Sequence, residues 1–299
     1  MKFYKKSIIL LCLLMITMGV VCAQDVTDTA QNTLEIDDSQ AVLANSTSAT
    51  YDDLSELVEK SGDSISLESD YKYNQGTDKV KNISIYKKNL TINGNNHAID
   101  GDGKTTLFKI EKGNLVIKNT VLRNFNDTAI ILIDSTLTTL NVTFENIQAA
   151  DYGAAVYCTD DSMVTSTNDR YIETYAPNGG SSIFGYDSVI NINNGTFQNK
   201  KPIYWSLIYG EDSEINVFET TFANINSKYA TAIYNTYNTT IKKSKFINLH
   251  ADATAGAIAI KSNNAQNKTY MRVYDCEFVN VSAAKNGGAI YSDLNGIGL

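Results

Sequence analysis

Short runs in which apolar and polar positions alternate recur along most of this chain, as in Leu90–Gly103, Thr106–Ile110 and Asn114–Leu122. Alternation with a period of two predicts strands. The runs fall into a longer repeat. Phe-x-Asn occurs at Phe144/Asn146, Phe197/Asn199, Phe222/Asn224, Phe246/Asn248 and Phe278/Asn280, with Leu122 as an earlier copy and Tyr171 as a degenerate one. The steps along that column are 22, 27, 26, 25, 24 and 32 residues. A second column follows 11 or 12 residues later, with Val156, Ile183, Ile208, Ile233, Ile258 and Ile290 as its aliphatic members. Small residues such as Gly153, Gly180, Ala230, Ala255 and Gly287 come just before it, and Tyr157, Phe184, Tyr209, Tyr234 and Tyr291 just after it. A third, looser run precedes each Phe: Leu137–Thr143, Ser188–Ile192, Ser213–Val217, Thr239–Lys242 and Met271–Tyr274.

Three strand-like runs per unit, with units of roughly 25 residues, predict an all-β solenoid. Each strand pairs in parallel with its copy one unit later, through right-handed crossovers. The expected fold is a right-handed single-stranded parallel β-helix of seven to nine coils, about 35–45 Å long at about 4.8 Å per coil. The Phe column should stack inside. Asn tolerates left-handed backbone angles at the bends, and stacked Asn side chains can bond one another in a ladder. Two residues after Phe, the Asn side chains are expected to share its inward direction, which would bury Asn280. The aromatic column at Tyr157 to Tyr291 should point outward and form an exposed stack. Ahead of the coils, Tyr51–Ser61 places Leu54, Leu57 and Val58 at helical spacing behind Asp52 and Asp53. That predicts a short amphipathic helix over 51–61, capping one end of the rod. Residues 62–299 would be the coils.

The first 23 residues read as a secretory signal peptide. Lys2, Lys5 and Lys6 precede the apolar run Ser7–Val21, and small or aliphatic residues precede Gln24. Residues 24–50 are polar and acidic, a flexible leader. Net charge is −8 over 299 residues; without the signal's three Lys, 22 basic residues face 33 acidic ones, a balance of −11. With only Arg123, Arg170 and Arg272 as arginines, nucleic acid is not an expected partner. The membrane is a partner only through an uncleaved signal segment. Cys158 and Cys276 remain after cleavage, about five units apart, which is not a disulfide framework.

LTINGNNHAIDGDG (90–103), the Phe-x-Asn column, the Gly-Gly-Ala-Ile-Tyr segment (287–291) and DLSELVEKSGDSISLESDY (53–71) together resemble the adhesin-like surface proteins of methanogenic archaea. The resemblance spans about Tyr51 to Leu299. It implies a pectate-lyase-like β-helix on the cell surface, exported and non-enzymatic, with glycans or other cells as partners. Members of that family are often longer and carry an attachment region. The chain stops just after a repeat segment, so a truncated or split product, or self-association at an uncapped C-terminal end, is expected.

Little in the sequence suggests covalent chemistry. A glycoside hydrolase needs two carboxylates facing one another about 5–9 Å apart. Asp160-Asp161 are adjacent, which gives poor geometry, and Asp187 and Asp212 are one unit apart. His97 and His250 are distant from each other. No catalytic residue, metal or cofactor is therefore expected. A polysaccharide lyase or glycoside hydrolase, or a purely structural envelope component, is the alternative. The most distinctive surface segment is Lys200–Tyr209 (KKPIYWSLIY), which holds the only Trp. Tyr204, Trp205, Tyr209 and Tyr234 are the candidate glycan-binding residues, because aromatic faces near cations suit sugar stacking. Among the Asn-x-Ser/Thr triplets, Asn238 and Asn267 are the candidate glycosylation sites.

Overall fold

The computed structural model describes residues 48–262 and 269–294. Asn267 lies outside the described residues. The chain winds into a parallel β-solenoid of three faces. One face is a sheet of nine parallel strands running from Ile83–Tyr86 through Ile130–Ile133, Val156–Thr159, Ile208–Glu211 and Ile258–Lys261 to Ile290–Asp293. The other two faces merge into one seventeen-stranded sheet, because long strands such as Asn114–Arg123 and Thr136–Gln148 bend and continue from one face to the next.

Equivalent residues of successive coils pair in strict register. Phe144 pairs with Leu122 and Tyr171, Tyr171 with Phe197, Phe197 with Phe222, Phe222 with Phe246, and Phe246 with Phe278. In a parallel sheet, like side chains therefore lie directly over one another. The rings from Phe144 to Phe278 form a single interior file, with centroids 4.3–5.1 Å apart and planes within 18°. All are buried except Phe278, which is half-buried on the last described coil. The Tyr171 hydroxyl, which sits in that apolar file, donates to Ser166 Oγ at 3.0 Å.

The bends are made by residues in the left-handed region. Asn119, Asn124, Asn141, Asn146, Asn168, Asn194, Asn224, Asn248 and Asn280 have φ between 51° and 57°. Their side chains turn outward and bond coil to coil. Nδ2 of Asn119, Asn141, Asn168 and Asn194 each donates to Oδ1 of the Asn one coil earlier, at 2.9–3.3 Å. A second file links Asn146 to Asn124, and Asn280 to Asn248 to Asn224, at 2.7–3.0 Å. Two sequence-based expectations need correction. Asn280 is exposed, because the left-handed bend rotates its side chain away from the interior. Asn199 leaves the ladder: it lies inside, 2% exposed, where its Oδ1 accepts from Thr174 N–H and its Nδ2 donates to Thr174 C=O.

A third bend carries a feature the sequence reading did not single out. Asp134-Ser135, Asp161-Ser162, Asp187-Ser188 and Asp212-Ser213 recur there, each Asp left-handed and exposed or partly so, each Ser buried. The Ser hydroxyls accept backbone N–H groups that the bend removes from the sheet ladder: Gly113 N to Ser135 Oγ at 3.2 Å, Ser135 N to Ser162 Oγ at 3.1 Å, and Ser188 N to Ser213 Oγ at 3.1 Å. A buried N–H without a partner would cost about 1–3 kcal/mol.

Tyr51–Lys60 forms the helix at the N-terminal end of the rod. Thr50 is its N-cap in a capping box with Asp53, and Lys88 Nζ donates to Val58 C=O and Ser61 C=O at its last turn, at 2.6 and 2.9 Å. Tyr51, Leu54 and Val58 are buried against the first coils. Ahead of the helix, Ala49–Thr50 pairs in parallel with Tyr71–Lys72, so regular structure begins within the segment expected to be a leader.

Candidate functional site: an aromatic flank

The outward positions of the nine-stranded face, and the loops that lead into it, gather most of the rod's exposed and half-buried aromatic rings. Register again explains the column. Tyr157 pairs with Phe184, Phe184 with Tyr209, and Tyr209 with Tyr234. Their rings run on from coil to coil: Tyr157–Phe184 at 5.4 Å, Phe184–Tyr209 at 5.3 Å and 88°, and Tyr209–Tyr234 at 4.9 Å and 85°. The expectation of an exposed stack is corrected here. Phe184 is only 4% exposed, because Tyr152 packs over it at 4.4 Å, and the Tyr residues are half-buried.

The loop before Ile208–Glu211 brings the remaining rings onto this column. Trp205 lies 6.1 Å from Tyr209, 5.8 Å from Tyr234 and 4.4 Å from Tyr229, against which it stacks at 21°. Tyr204, 39% exposed, meets Trp205 edge-on at 6.3 Å and Tyr229 at 5.5 Å. Parallel backbone pairing of the two loops, Ile203 with Ser227, and Tyr229 N to Tyr204 C=O at 3.3 Å, holds these rings together. Lys228 Nζ sits 4.7 Å from the Tyr204 ring centre and 5.7 Å from that of Tyr229, and donates to the Tyr204 hydroxyl at 3.2 Å. That hydrogen bond lowers the Tyr204 phenol from its ordinary range and raises the Lys228 ammonium. Burial raises the phenols of Tyr209 and Tyr234, with Glu211 among the charges adding to it, so both stay neutral hydroxyls.

Tyr204, Trp205, Tyr209 and Tyr234 are thus brought together in one patch. Tyr152, Tyr229 and Lys228 belong to it as well, although the sequence reading passed over them. Their signal was present: Tyr152, Trp205 and Tyr229 each stand four or five residues before the column residue of their own coil. Gly179 makes room for the patch. Its φ is +143°, and a Cβ there would come within 2.1 Å of the Tyr209 ring.

The acids are placed differently. Asp160 and Asp161 are consecutive left-handed residues at the bend after Tyr157, and Asp187 and Asp212 follow in the same file, one coil apart each. Among the described residues, no group of three or more His, Cys, Asp or Glu side chains is arranged to hold a metal ion. Cys158 is buried, its thiol pushed up to about 12 by burial, and donates to Phe184 C=O at 3.3 Å. Cys276 is half-buried, and neither is in a disulfide. Asn238 is partly exposed and its Oδ1 accepts from Tyr270 N–H at 3.2 Å. No helix among the described residues is long and apolar enough to cross a membrane.

Among the described residues, the most deeply buried carboxyl is that of Asp169. Asp169, 1% exposed, accepts from Val142 N–H on Oδ1 at 2.7 Å, and from Ser166 Oγ at 2.7 Å and Thr139 Oγ1 on Oδ2. Burial raises it to about 6, against the pull of those hydrogen bonds.

Neither a protein-family model nor a curated protein sequence matches the chain. Among solved structures, the chain is similar to the Streptococcus pneumoniae surface protein and adhesin PfbA, at 13% identity and a TM-score of 0.36, over 77% of this chain and 88% of that one.

Proposed function

We propose that this chain is an adhesin-like cell-surface protein that binds glycans through the aromatic flank of its β-solenoid, without covalent chemistry. The observation that carries this reading is the cluster of Trp205, Tyr204, Tyr209, Tyr229 and Tyr234, with Lys228 over two of its rings. A sugar ring offers C–H groups to an aromatic face and hydroxyls to its edge, and this patch supplies both kinds of partner. Strands hold Tyr209 and Tyr234, and two backbone-paired loops hold Tyr204, Trp205 and Tyr229 against them before any ligand arrives, which reduces the ordering cost of binding. The long rod repeats outward positions along one flank, so several weak sites can engage one polymer or one cell surface and gain by avidity.

A glycan array probed with the purified chain tests the reading. Binding to one or more glycans is expected, and Trp205→Ala should abolish it while circular dichroism stays that of a β-solenoid. Absence of binding to any glycan, or binding unchanged in Trp205→Ala, overturns it.

A further inference from the structure

The aromatic column of the nine-stranded face has a missing member. Tyr157, Phe184, Tyr209 and Tyr234 occupy successive coils, and Tyr291 occupies the last described one, but the position between Tyr234 and Tyr291 is Ala259. Tyr234 and Tyr291 are therefore two strand spacings apart, about 9.6 Å along the rod. A ring in van der Waals contact needs about 3.5–4 Å on each face. The gap is the thickness of one inserted ring. A cavity of about 190 Å³ lies there, with Ala230 and Ala259 at its floor, Tyr234, Tyr291, Trp205 and Tyr229 around it, and Thr254, Lys261 and Asp293 at its rim.

We infer that this gap is a binding subsite for a single uncharged pyranose ring of all-equatorial, β-gluco configuration. The inference rests on the glycan-binding reading and names the sugar class and the place. Configuration follows from the walls. A ring slid between Tyr234 and Tyr291 meets an aromatic side chain on either side along the rod, and C–H groups on both of its faces suit two such neighbours. A pyranose with every hydroxyl equatorial carries them; an axial hydroxyl, as in the galacto or manno epimers, drives an oxygen into one wall and leaves it without a partner there. Charge follows from the rim. Lys261 and Asp293 are register partners one strand spacing apart, one cation and one anion. Such a pair complements neutral hydroxyls, donating to one and accepting from another, and favours neither a uronate nor an amino sugar. The Tyr234 hydroxyl, kept neutral by burial with Glu211 and Asp293 reinforcing it, can both donate and accept.

The test is titration calorimetry of the full chain with cellobiose and methyl β-glucopyranoside, against the galacto and manno epimers. The gluco compounds are expected to bind at least tenfold more tightly than either epimer. Ala259→Tyr puts back the ring that neighbouring coils already hold at that position, and should abolish this binding. Tyr291→Ala removes one wall at the last described coil and should weaken binding tenfold or more while narrowing the epimer preference, so the inference is still tested if Ala259→Tyr does not fold. No binding of the gluco compounds, equal binding of the epimers, or full affinity in Ala259→Tyr overturns it. If the wild-type chain binds array glycans in a Trp205-dependent way while Ala259→Tyr binds them equally, the subsite fails and the aromatic-flank reading stands.

Discussion

Asp169→Asn should change how the stability of the rod depends on pH. Burial raises the folded-state Asp169 to about 6 from the ordinary 3.8. The folded chain therefore holds that proton more tightly than the unfolded chain does. Between the two values the folded state binds more protons, so stability falls as pH rises, and above about 6 the loss is complete. A shift of about two units corresponds to about 3 kcal/mol, of which about 2 kcal/mol is lost between roughly pH 4.5 and pH 7.5. Asn cannot ionise, yet it can keep the site. Its carbonyl can accept from Val142 N–H, and the Thr139 and Ser166 hydroxyls can rotate to accept from its amide. At neutral pH the variant should be the more stable protein, and its advantage should shrink by about 2 kcal/mol at roughly pH 4.5. Urea unfolding followed by Trp205 fluorescence and by circular dichroism, on both proteins at both pH values, measures this double difference. A stability gap of the same size at the two pH values would refute the reasoning, because it would mean that Asp169 has the same proton affinity folded and unfolded.

Three further outcomes follow from the packing. Phe222→Ala, in the middle of the interior ring file, should cost about 3–5 kcal/mol in urea unfolding, since it deletes a fully buried ring between two stacked neighbours; a cost near zero would mean the file does not support the rod. Gly179→Ala should displace the Tyr209 ring and weaken array binding together with stability, because both the backbone angle and the ring oppose a side chain there; an unaltered Tyr209 near-ultraviolet signal would contradict this. Cys158 should resist alkylation in the native chain at about pH 8 and react once urea unfolds it, with its thiol at about 12 and no exposure; rapid native labelling of Cys158 by mass spectrometry would show that its surroundings open.

The solenoid was legible because register turns a recurring residue type into a stack. Leu122, Phe144, Tyr171, Phe197, Phe222, Phe246 and Phe278 vary in spacing by several residues, yet the variation falls in loops, and the strands still meet like with like. Side-chain direction at the bends was not legible by counting in twos. In Thr136–Gln148 the inward–outward alternation slips at Leu140-Asn141 and again at Glu145-Asn146, where two successive residues face outward. A left-handed residue between two strands causes each slip, which is why Asn280 is outside although it stands two residues after Phe278. The Asp-Ser recurrence was equally visible in the text, but its use appears only when the bend exposes which backbone N–H groups have lost their sheet partners. The aromatic patch was half legible. Its column followed from the repeat, whereas Tyr152 and Tyr229 arrive from loops of unequal length, and the covering of Phe184 depends on where those loops fold back.

Parallel pairing from coil to coil has a consequence for how such a surface can diversify. Among the described residues, the inner strands of each sheet spend their main-chain donors and acceptors lengthwise, on the turns ahead and behind, so their peptide groups are already paired when a partner meets the side of the shaft. Whatever touches those strands must read the lettering of residues alone. That lettering can be rewritten one coil at a time, ring for methyl or methyl for ring, while the scaffold beneath keeps its bonding unchanged.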